Sequence, residues 1–238
     1  MSLYAVLKER QRSERHTFPD ALGLRVHRAL SWLNRAEQSD DLDAKFVFLW
    51  IGFNAAYATE LVVDHRISER YSFKLFVQKL VELDASKHLH TLVWQHFAGP
   101  IRVLLDNPYV SAAFWEMQAG QIDQDGFAEQ FESDKKRARQ ALASNNTAGV
   151  LANVLESIYM LRNQLFHGGA TWNGAVNREQ MRDATKLMQV LVPQVITIMM
   201  DNPNALWGDA IFPVVGKSAS QTKGPESTPT PLSSRDSL

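Results

Sequence analysis

AGVLANVLESIYMLRNQLFHGG, residues 148–169, decides the fold class of this chain. Advanced at about 100° per residue, Leu151, Val154, Leu155, Ile158, Leu161 and Leu165 fall in one stripe roughly 120° wide, which marks an amphipathic helix. Cap-type residues, Asn146 and Thr147, precede it. Gly168-Gly169 ends it by supplying left-handed backbone at little cost. The same 3.6-residue apolar spacing recurs along the chain, and no series of alternating strands competes with it. The expected fold is all-α.

The spacing predicts helices over Ala21–Glu37, Leu42–Val63, Ser68–Leu83 and Ser86–Leu105, the last interrupted at Gly99-Pro100. Others are expected over Val110–Gln118, Gly126–Ala143, Ala148–His167 and Arg178–Met200. Asn177 with Gln180 has capping-box spacing before the last of these, and Pro193 is expected to kink or divide it. Residues 1–215 read as a single domain. Within it, about 64–145 form a helical insertion between two helix pairs, with enough aromatic residues of its own to fold against the rest. Residues 216–238 are rich in Ser, Thr, Pro and Gly and are expected to be disordered.

With 238 residues, 45% of them hydrophobic, the chain can bury a sizeable core. Twenty-five Lys+Arg against 26 Asp+Glu leave a net charge of −1, so binding to RNA or any other polyanion needs a local patch. The absence of cysteine removes disulfides, thiol catalysis and thiolate metal sites. The opening MSLYAVLKERQRSER lacks the apolar core of a secretory signal, and no apolar run is long enough to span a bilayer. The expectation is a cytoplasmic protein without a membrane partner.

Arg162 projects inside the apolar stripe, whereas Asn163 and His167, four residues apart, share a neighbouring face. A guanidinium among leucines is costly unless it is paired or faces a wet cleft. Glu60, placed by helical spacing on the aromatic face of the Leu42–Val63 helix, could pair with it in a purely structural ion pair. A histidine at a helix C-terminus likewise has a plain electrostatic role.

RNQLFH, residues 162–167, resembles the R-x-x-x-x-H motif of the HEPN superfamily (higher eukaryotes and prokaryotes nucleotide-binding). IYMLRNQLFHG is similar to the form in Apea-like HEPN proteins, and FVFLWIGFNAAYATE, residues 46–60, resembles their aromatic upstream helix. The resemblance covers about Leu42–Val63 and Ala148–Met200. It implies a homodimeric helical bundle, often a metal-independent endoribonuclease whose arginine and histidine from two protomers meet at the dimer interface. A two-fold axis also relieves the geometric difficulty that one helix does not align the three groups.

On that reading His167 is the general acid/base and Arg162 the phosphate clamp, because an imidazole transfers protons near neutrality and a guanidinium bridges two phosphate oxygens. Asn163 is expected to orient His167 or a phosphate. Products would be a 2′,3′-cyclic phosphate and a 5′-hydroxyl, and no cofactor is required. Glu60 and Asn54 are possible supporting residues, although an internal structural amide suits Asn54 better. RNA affinity could come from Lys135, Lys136, Arg137 and Arg139, and from a ridge of Arg178, Arg182 and Lys186 at four-residue spacing. An antitoxin or defence-system partner goes with this reading. A catalytically inactive module that binds nucleotide, RNA or protein is the alternative. His88, His90 and His96 are spaced poorly for a metal, and Trp50, Phe53 and Tyr57 read as core.

Overall fold

A computed structural model of the protein describes residues 2–58 and 69–210. The predicted tail at 216–238 and Glu60 lie outside the described residues. Ten α-helices occur among those described, and no strand. They are α1 (Leu3–Glu14), α2 (Asp20–Glu37), α3 (Leu42–Tyr57), α4 (Glu69–Leu83), α5 (His88–Thr91), α6 (Ala98–Leu105), α7 (Ala112–Gln118), α8 (Gln124–Ala143), α9 (Thr147–Phe166) and α10 (Arg178–Asp201). The all-α expectation holds.

Side-chain caps set several of the starts. Asp41 accepts from the Ala44 amide at 2.7 Å, Asp123 from Gly126 at 2.8 Å and Asn146 from Gly149 at 2.9 Å, each satisfying an amide that the first helical turn leaves without a partner. α2, α3 and α10 form one packed layer. Gly52 lies at their junction, where a Cβ would stand at ordinary van der Waals distance, 3.4 Å from the Ala29 carbonyl oxygen and 3.7 Å from Val192. α4 lies along α9, and α6 and α8 also pack on α9.

Aromatic rings join the two halves. Trp50 of α3, Phe73 of α4 and Tyr159 of α9 meet pairwise with centroids 5.9–6.1 Å apart. Phe73, Leu89, Val93 and Ile101 belong to the same continuous core as Phe46 and Leu155. The described part of the 64–145 segment, from residue 69 on, folds against the rest, as its aromatic content suggested. Trp50, Phe53 and Tyr57 are all buried in that core.

Several boundaries differ from expectation. α1 has no predicted counterpart: only Leu7 and Gln11 are buried on it, so it shows almost no apolar stripe. α3 stops at Tyr57, with Ala58 already extended, short of the predicted end at Val63; residues 59–63 lie outside the described residues. The break near Gly99-Pro100 falls earlier, at Phe97, behind a π-helical turn over Leu92–His96. Pro100 then occupies the first turn of α6, where a missing N–H costs nothing. Pro193 does not divide α10, which runs unbroken for 24 residues. Asn177 does not form the capping box, because it is left-handed (φ 57°) and its amide donates instead to Gln164 Oε1 at 2.9 Å.

One buried charge holds the ends together. Arg25 of α2 is 1% exposed and donates to the Ala56 carbonyl at 2.8 Å and the Asp209 carbonyl at 2.6 Å. Burial pushes its pKa down to about 10, so it keeps its charge at neutral pH. The segment after α10 is thereby strapped across α2 and α3. Trp207 completes it, buried with its indole donating to the Asn202 carbonyl at 2.9 Å.

Candidate functional site

α9 carries Val150, Leu151, Val154, Leu155, Ile158 and Leu161 into the core, and Arg162 follows directly on this buried face. Arg162 is half-buried. Its guanidinium lies 4.3 Å from the centroid of Phe166 and 5.8 Å from that of Tyr159, one helical turn away on either side. Such stacking suits a planar, weakly hydrated cation. Tyr159 is itself fixed by Trp50 and Phe73, so the stack stands on the core.

The Arg162 Nη1 donates to Asn163 Oδ1 at 2.8 Å, while its Nε is buried with no hydrogen-bond partner. The Asn163 side chain thus positions the arginine. Within one chain the bond from His167 to Asn163 is a backbone one, His167 N–H to the Asn163 carbonyl at 3.0 Å. The proposed Arg162–Glu60 pair involves a residue outside the described ones. Asn54 is exposed, contrary to the internal amide expected of it, because it sits on the side of α3 turned away from α2 and the core.

His167 is the C-cap of α9 and is exposed. Gly168 follows with φ +72°, so the helix stop works by the left-handed glycine that the sequence indicated. No hydrogen bond joins Arg162 to His167 among the described residues. A single chain offers a held guanidinium and, five residues on, an open imidazole.

The loop beyond His167 is tied to the start of α3. Asp43 accepts from the Asn173 amide at 2.7 Å and forms an ion pair with Arg178, and Asp41 accepts from the Trp172 indole at 2.8 Å. Gln164 bridges further, donating to the Tyr109 carbonyl at 2.8 Å and accepting from Asn177. Sequence reasoning missed Asp41, Asp43, Gln164 and Trp172. Asp41 and Asp43 carry only a helix-start signal, and their partners lie about 130 residues away.

The predicted cations separate into two groups. Arg178 is committed to Asp43. Arg137 donates to Asn153 at 2.9 Å, Asp134 at 2.8 Å and Glu156 at 3.1 Å, which locks α8 to α9 and spends its charge there. Lys135 pairs with Glu132 at 2.8 Å, and Arg139 lies 3.8 Å from Asp106. Lys136, Arg182 and Lys186 are exposed. The expected ridge on α10 therefore loses its first member and keeps Arg182 and Lys186.

Two clefts border α9. The larger, about 960 Å³, lies between α4, α8 and the start of α9; the other, about 290 Å³, is walled by Phe73, Phe131, Tyr159 and Met160. Neither is lined by Arg162 or His167. His88, His90 and His96 are exposed, and no cluster of three or more metal-ligating side chains occurs among the described residues. No described helix is long and apolar enough to cross a membrane. Compared with family models, curated proteins and solved structures, the chain matches none of them.

Proposed function

We propose that this chain is a metal-independent endoribonuclease of the HEPN type that works as a homodimer. The observation that carries the reading is Arg162: a guanidinium clamped between two rings and oriented by Asn163, its Nε without a protein partner, beside an open His167 at the helix end. Arg137, a structural arginine, spends Nε, Nη1 and Nη2 on Asn153, Asp134 and Glu156, whereas the Arg162 Nε has no partner, a feature it shares with the buried Arg25.

In the reaction His167 takes the proton of a ribose 2′-OH, whose oxygen attacks the adjacent phosphorus. Arg162 holds the non-bridging oxygens as negative charge develops. The bond from phosphorus to the 5′-oxygen breaks, and that oxygen takes a proton from the imidazole of the second copy. The products are a 2′,3′-cyclic phosphate and a 5′-hydroxyl, by proton transfer and charge stabilisation alone. A toxin or antiviral-defence role, with a cognate antitoxin, belongs to the same proposal.

The test is incubation of purified full-length protein with mixed RNA in chelator, beside His167→Ala and Arg162→Ala. Cleavage is expected to fall by about 10²–10⁴-fold in the first and about 10²–10³-fold in the second, with cyclic phosphate ends and intact DNA. Equal activity in all three proteins would identify a contaminant and overturn the proposal. The alternative, a silent binding module, draws on the absence of any Arg162–His167 bond within one chain; RNA binding without cleavage would select it.

A further inference from the structure

The turn that follows the motif holds an aromatic side chain in an unusual state. Trp172 is 76% exposed, yet its indole N–H is engaged by Asp41 at 2.8 Å. The turn Thr171–Gly174 closes through a Gly174 N–H to Thr171 carbonyl bond of 3.0 Å, with Asn173 left-handed at φ 55°. Asn173 donates its own amide to Asp43 at 2.7 Å. Two successive residues are thus pinned to the start of α3. The one polar atom of the indole is satisfied, its ring face is open, and the entropy of fixing it is already lost before any ligand arrives.

We propose that the Trp172 ring stacks on an unpaired nucleobase of the RNA strand held at Arg162 and His167, which makes single-stranded RNA the substrate class. This rests on the nuclease reading above. Trp172 lies five residues from His167, so the two Cα atoms are at most about 17 Å apart. Aromatic faces bind bases of any sequence by stacking, whereas a duplex keeps its bases stacked on one another and offers no free face.

Charge assigns the ring to a base and not to the backbone. Asp43 is balanced by Arg178, but the Asp41 carboxylate accepts from the indole itself and disfavours a phosphate at that edge of the ring. Arg162 and the exposed Lys136, Arg182 and Lys186 are the groups left to meet phosphates. Phe166, 45% exposed, offers less than Trp172, because the Arg162 guanidinium covers one face of its ring at 4.3 Å. The Asp41 carboxylate and the Asp43–Arg178 ion pair beside the turn likewise disfavour the rival occupant, an apolar patch on a second copy of the chain.

The experiment uses the full chain carrying His167→Ala, so that RNA stays intact, with a short labelled RNA read by fluorescence anisotropy as an unstructured strand and as its blunt duplex. The single strand is expected to bind more tightly. Adding Trp172→Ala weakens single-strand binding about tenfold and leaves the duplex unchanged, while Trp172→Phe stays within about threefold of the parent. The loss persists at raised salt, since stacking is not ionic. Thermal melts confirm that each variant is folded.

Equal binding by Trp172→Ala and its parent overturns the platform, as does conversion of a dimer to a monomer by that substitution in light scattering. Trp172-dependent binding with no cleavage by the wild type sinks the nuclease reading and leaves the platform standing. Cleavage by the wild type with Trp172→Ala binding unaltered sinks the platform alone.

Discussion

Removing the Asp43 carboxylate takes away the acceptor of two separate bonds. Its Oδ2 holds the Asn173 amide at 2.7 Å and its Oδ1 pairs with Arg178; the side chains of Asp43 and Arg178 are only 11% and 23% exposed. A hydrogen bond involving a charged group contributes about 1.5–3 kcal/mol, and the residual exposure of Arg178 lets water recover part of its loss. Asp43→Ala is therefore expected to cost about 2–3 kcal/mol, or about 4–12 °C in Tm for a domain of this size. Urea unfolding of Asp43→Ala, Arg178→Met and the double variant isolates the pair, with an expected coupling of about 1–2 kcal/mol. Amide exchange at Asn173 gives a local reading, protected in the wild type and released by Asp43→Ala. Additive single effects within about 0.3 kcal/mol, or unchanged Asn173 protection, would refute the claim that Asp43 fastens the loop beyond His167.

Asp41 gives a pH-dependent counterpart. The Ala44 amide, and then the Trp172 indole, lower its pKa below the usual carboxylate value, so its contribution is fully present above that value and is lost as pH falls through the depressed folded one. Asp41→Asn is expected to flatten the stability profile in that acidic window alone, as measured by urea midpoints between pH ~2 and ~5. Arg25→Met leaves the Ala56 and Asp209 carbonyls without a donor and is expected to cost about 2–3 kcal/mol, with a red shift of Trp207 emission as the strap loosens. Arg25→Lys, with one point donor for two distant acceptors, falls between.

Periodicity made most of the bundle legible, because α2, α9 and α10 bury contiguous apolar stripes that any helical projection reveals. The caps at Asn146 and Gly168 were readable for the same local reason. α1 was not, since a helix with two buried residues is held by tertiary contacts such as the Arg10–Asp201 pair at 2.7 Å. The end of α3 was misjudged because Ala58 interrupts no apolar pattern, although its backbone has already turned extended. At the site, Arg162 and His167 were visible as an oddity of pattern. The clamp of Tyr159 and Phe166 follows from their i−3 and i+4 spacing. What no local pattern contains is which charges are already engaged: Arg137 and Arg178 look like their basic neighbours, and only Glu156 and Asp43, distant in sequence, distinguish them.

The bond from Arg25 to Asp209 spans 184 residues, and α10, which completes the α2–α3 layer, lies near the far end of the same interval. Synthesis from the N-terminus delivers α2 and α3 long before the chain that covers them. Until α10 emerges, α2 and α3 lack the helix that packs on both of them, and until Asp209 emerges the Arg25 guanidinium has no second acceptor. Contacts of such separation form late and slow folding, because the closure entropy comes before the reward. The nascent protein therefore passes through a stage in which α3, the most apolar of the described helices, is only partly covered on the ribosome, where chaperones have their best opportunity to bind it.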